Sequence, residues 1–128
     1  MTSRQALRRL VLGIVAGALA AATPTAPAAA EERLFALDIE RNAVAPALRT
    51  LRVRKGDVVT LEVKADRALV LHIHGLNLEL AVDSGTSART RFTAHATGRF
   101  PIEVHAAGVH RHARHHGSPL AFLEVMPR

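Results

Sequence analysis

A two-sheet all-β domain is the architecture to which this chain points, and three observations carry that expectation. Apolar residues recur at every second position in short runs; Gly, Pro, Asp and Asn punctuate the intervals; and beyond the first thirty residues no stretch sustains an apolar stripe of helical period. Aromatic content is only 3%, with four Phe and no Trp or Tyr, so the core is built from Leu, Val, Ile and Ala. That suits a thin sandwich better than a large cleft.

The elements follow in order from a chain of 128 residues, room for one ordinary domain. Residues 4–9 are basic, 10–22 are apolar, and Ala28, Ala29 and Ala30 place small residues where a signal peptidase reads, so residues 1–30 are expected to be a secretory signal peptide. The apolar run is 13 residues long and is followed by Pro24 and Pro27. It is short for a bilayer span, and no integral membrane segment is expected after cleavage. The domain is then residues 31–128, located in the periplasm or secreted.

Strand spacing occurs at 34–39, 47–53, 58–63, 68–74, 78–82, 88–92, 98–105 and 120–125. Seven or eight short strands in roughly 95 residues is the density of a β-sandwich or barrel. Lys55-Gly56-Asp57 and Asp83-Ser84-Gly85 read as hairpin turns or sheet-to-sheet corners, with Gly at a positive φ. His95 falls in the turn TAHATG, and residues 106–118, rich in His, Gly and Arg, read as a long loop. Met126 lies just past the last run, as packing or a frayed end.

The formal net charge of +6 divides between the leader and the rest. From Glu31 onward 14 Lys and Arg stand against 11 Asp and Glu, scattered and without interleaved aromatic rings, so nucleic acid is not an expected partner. No cysteine is present, which removes disulfides, thiolate nucleophiles and Cys-based metal sites together. Ser84, Ser87 and Ser118 lie in turns without a nucleophile-elbow pattern.

Histidine is where the chemistry concentrates. His72 and His74, two apart on one expected strand, project from the same side about 7 Å apart at the backbone, close enough to reach one ion. A second group begins at His105 and continues through His110, His112, His115 and His116. Neutral imidazole is the commonest protein donor to transition metals. If the strand ending at His105 lies beside the one carrying His72 and His74, the loop histidines fold over the same end of the sandwich. Glu103, two residues before His105, shares its face and is placed to orient an imidazole, to supply an oxygen ligand or to serve as a surface charge.

In this order, VRKGDVVTLEV, a strand ending in His, DSGTSARTRFTAHATGRFPIEVH, a His-rich loop and LAFLEV resemble the cupredoxin superfamily of copper-binding Greek-key β-sandwiches, from about Leu34 to Val125. The resemblance is strongest to small periplasmic cupredoxin-like proteins. It implies copper held by one His near an early-middle strand end, His72 or His74. It also implies ligands around the loop between the last two strands, where His105 stands in the place of the family's Cys and His110 or His112 supplies a loop imidazole. Without thiolate a blue-copper electron-transfer centre cannot form, and an all-imidazole site suits Cu(II), Zn(II) or Ni(II), copper leading by affinity order.

The expectation is therefore a non-enzymatic periplasmic protein that binds copper ion through His72, His74, His105, His110 and His112. Metal storage, delivery or tolerance is its role, and a periplasmic metal donor or acceptor protein its partner. The alternative is a metal-free degenerate cupredoxin domain used as an interaction or structural module. A copper oxidase or hydrolase is the third reading.

Overall fold

Alternation of side chains decides how each strand of this molecule is used. The computed structural model describes residue 26, residues 28–108 and residues 118–128. Among them eight strands form: β1 (Glu32–Ile39), β2 (Thr50–Arg54), β3 (Val58–Ala65), β4 (Leu69–Ile73), β5 (Leu78–Val82), β6 (Ser87–Thr93), β7 (Gly98–Ala106) and β8 (Ala121–Met126). They make a three-stranded sheet in the order β1-β3-β6 and a five-stranded sheet in the order β2-β8-β7-β4-β5. The protein is an all-β Greek-key sandwich.

Along β2, β3, β4 and β8 every second residue faces inward and is sealed from water. Leu51 and Val53 of β2, Val59, Leu61 and Val63 of β3, Leu69, Leu71 and Ile73 of β4, Ile102 of β7, and Leu123 and Val125 of β8 form one buried apolar layer between the sheets. Burying such side chains, at about 1.5–3 kcal/mol each, is the principal force holding the sheets together. The remaining faces of both sheets look outward.

The turn residues behave as their chemistry requires. Gly56 has φ +92 and sits at the corner where the chain passes from β2 in one sheet to β3 in the other. Gly85 does the same between β5 and β6 with φ +72. Both turns are therefore sheet-to-sheet corners, the second of the two roles their composition allowed.

Two expectations need correction. Residues 47–53 are not one strand, because Pro46, with its fixed φ, opens a short 3-10 turn over Pro46–Leu48, in which the Leu48 N–H donates to the Ala45 carbonyl at 2.8 Å. Only from Thr50 does the chain extend. Met126 is neither frayed nor beyond the strand: it is the last residue of β8 and pairs in register with Arg54.

No helix among the described residues is long and apolar enough to cross a membrane. The expected leader, apart from Ala26, Ala28, Ala29 and Ala30, lies outside the described residues. So do His110, His112, His115 and His116.

Candidate metal centre

The antiparallel pairing of β4 with β7 creates the site. In that register Val70 faces His105 and His72 faces Glu103, while on the other side of β4 His72 faces Glu79 of β5. Leu71 and Ile73 point into the core, so His72 between them points out; Ile102 is buried likewise, so Glu103 and His105 point out with it. His74 opens the turn after β4, and its backbone N–H donates to the Pro101 carbonyl at 2.9 Å, which keeps it beside β7.

Three imidazoles thereby stand together on the solvent face of the five-stranded sheet. The His72 and His74 ring centroids are 4.2 Å apart, and those of His72 and His105 are 6.2 Å apart. One ring nitrogen from each of His72, His74 and His105 lies within 4.8 Å of the other two. Imidazole binds first-row metals at about 2.0–2.1 Å, so side-chain rotations of about an ångström would bring all three onto one ion. The donor set fits a borderline cation: three nitrogens, no sulfur, and carboxylates on either side.

Of the five histidines the sequence proposes as ligands, His72, His74 and His105 come together, while His110 and His112 lie outside the described residues. From the sequence the rings are expected at one end of the sandwich. They lie instead on the outer face of a sheet, because alternation turns the residues between buried Leu and Ile outward wherever along the strand they occur. Sequence reasoning did not use the flanking core residues for this, although Leu71 and Ile73 carried the signal. His95, exposed in the β6–β7 turn, stands apart from the group.

Glu103 is more than a surface charge. Its Oε2 lies 2.8 Å from Nε2 of His74, and the two side chains are 23% and 43% exposed, so the contact is partly shielded from solvent. Burial is the largest influence on His72 and pushes its pKa below the ordinary 6.5; the nearby His74 and His105 act in the same direction, opposed by Glu79 and Glu103. His72 consequently holds a free lone pair to lower pH than a solvated imidazole does.

The turn that carries His74 is braced from below. Gly75 has φ +84, and a Cβ there would approach Cδ1 of Phe100 to 2.7 Å. The Phe100 ring thus packs against the bare backbone of the turn, setting its height over β7.

No family model matches the sequence, and no curated protein matches it. Solved structures do match in fold. A copper-containing nitrite reductase from Thermus scotoductus SA-01 superposes with a TM-score of 0.58 at 22% identity, over 76% of this chain and 28% of that one. A blue copper oxidase from Nitrosomonas europaea does so with a TM-score of 0.55 at 22% identity, over 76% of this chain and 39% of that one. The fold is therefore cupredoxin-like. A heme-copper terminal oxidase dimer gives a TM-score of 0.56 at 17% identity, over 73% of this chain and 64% of that one. The cupredoxin-like chain therefore spans less than two thirds of the length of each of these proteins, and at these identities the likeness is one of fold. The sequence contains no cysteine, and the potential metal ligands gathered on this face are the imidazoles of His72, His74 and His105.

Proposed function

We propose that this protein is a periplasmic metal-binding cupredoxin-like protein that takes Cu(II) through His72, His74 and His105 and serves metal storage, delivery or tolerance. One observation carries the reading: three imidazole nitrogens, from β4, the turn that follows it and the adjacent β7, lie within 4.8 Å of one another on an accessible face. The fold likeness to copper proteins supports copper as the ion. Affinity order favours Cu(II) over Ni(II) and Zn(II) on a nitrogen site, while the absence of sulfur donors disfavours Cu(I).

The role is binding and release, not turnover. A bound divalent ion would supply positive charge and an open position toward solvent. His72 contributes a lone pair kept free by its depressed pKa, and the β4–β7 pairing holds the spacing of the three rings.

Isothermal titration of the purified chain with Cu(II) and with Zn(II) tests this. Binding well tighter than about millimolar, lost in the His72→Ala, His105→Ala double variant, is expected. Wild-type protein that takes up neither ion would sink the proposal and leave the metal-free module as the reading of the fold.

A further inference from the structure

Among the described residues, Glu103 and His74 make a side-chain contact whose chemistry bears on the protonation pattern of the ring. A carboxylate is a hydrogen-bond acceptor only. Oε2 of Glu103 lies 2.8 Å from Nε2 of His74, so Nε2 must carry the hydrogen and donate it. In a neutral ring that leaves the lone pair on Nδ1. Backbone geometry holds both partners: Glu103 is fixed in register opposite His72, and the His74 N–H is tied to the Pro101 carbonyl.

Resting on the metal reading above, we infer that Glu103 is a positioning residue that locks His74 in the Nε2–H tautomer and presents Nδ1 as its metal donor. Glu103 does not touch the ion in this arrangement; it acts through the ring. A carboxylate accepting the second N–H of a ligating histidine fixes ring orientation and raises the basicity of the donor nitrogen, and its loss typically weakens metal affinity about 10–100-fold.

The test uses the 15N-labelled chain and Zn(II), a diamagnetic probe. Two-bond proton–nitrogen correlation spectra of the metal-free protein at about pH 8 distinguish a protonated ring nitrogen from a bare one. His74 should show hydrogen on Nε2, and added Zn(II) should move its Nδ1 resonance. Glu103→Ala should lose the tautomer preference and bind Zn(II) about 10–100-fold more weakly. Glu103→Gln, which still offers an acceptor oxygen, should keep the preference and most of the affinity.

Hydrogen on Nδ1 in the wild type, or a Zn(II)-induced shift at Nε2, overturns the positioning role. Equal loss of affinity in Glu103→Gln and Glu103→Ala does so too, since that pattern belongs to a carboxylate acting by its charge or as a direct ligand. The two readings fail separately. Zn(II) binding with the wrong tautomer removes only the role of Glu103, whereas the Nε2–H tautomer in a chain that binds no ion removes the metal function.

Discussion

Asp57 is the residue whose importance its turn setting concealed. Its side chain is 1% exposed, yet it accepts hydrogen bonds from the Arg54 N–H at 2.8 Å and the Glu31 N–H at 3.1 Å and pairs with the Arg128 guanidinium. Burial alone would raise its pKa, but the two backbone donors and Arg128 together outweigh it and hold the carboxyl below the ordinary 3.8. The folded state therefore binds this proton less readily than the unfolded one. The stabilisation is complete above pH 3.8 and disappears as pH falls through the lower folded value. Asp57→Ala should lower the unfolding free energy in urea by about 1–3 kcal/mol at pH 7, because buried donors lose their acceptor. That deficit should shrink toward zero in the acid limb of the pH series; a deficit constant down to pH 2 would refute the carboxylate latch.

The imidazoles give a second residue-scale expectation. Metal competes with protons for the ring lone pairs, so the apparent Zn(II) affinity should hold above about pH 7 and decline once the pH drops through about 6.5. Titrations at pH 5.5 and 7.5 check the sign. His72, with its lowered pKa, resists this competition longer than a free imidazole.

At the scale of elements the β4–β5 turn couples packing to the site. Gly75 combines a left-handed backbone with contact to Phe100, and His74 is its immediate neighbour. Gly75→Ala adds a Cβ with no room at 2.7 Å from the ring, on a φ of +84 that costs a non-glycine residue about 1–2 kcal/mol before any clash. The expected result is a less stable protein by thermal melting and a weaker metal site, since the turn must lift away from β7. Gly85→Ala, whose Cβ would meet nothing within 4 Å, should cost stability through backbone strain and leave metal affinity unchanged. Equal effects of both on affinity would show that the turn height does not matter.

For the whole molecule, the site spans two strands that are neighbours only after folding, so metal binding and stability are linked. Saturation at a hundred times Kd should add about 2.7 kcal/mol to the unfolding free energy. The melting temperature should rise with Zn(II) in the wild type and not in the His72→Ala, His105→Ala double variant. The core sets the reserve on which this acts: Leu71, fully buried one position before His72, should cost about 2–5 kcal/mol when cut to Ala.

The amino-acid pattern by itself determined the sandwich, its eight strands and the glycines of its tight turns, because burial on one face of a strand enforces a period of two and tight turns demand a residue without a Cβ; that both turns pass from sheet to sheet was decided by the tertiary structure. It also determined that Glu103 shares a face with His105, which follows from spacing along β7, and it placed His74 beside His72, although His74 belongs to the turn just past the end of β4. Only the tertiary structure decided that these two pairs meet, and on which surface. Their meeting depends on β4 lying beside β7, a pairing across some thirty intervening residues that no local period encodes. The latch at Asp57 belongs to the same class: a KGD turn announces a corner, while the partners Glu31 and Arg128 arrive from distant positions once the sheets close.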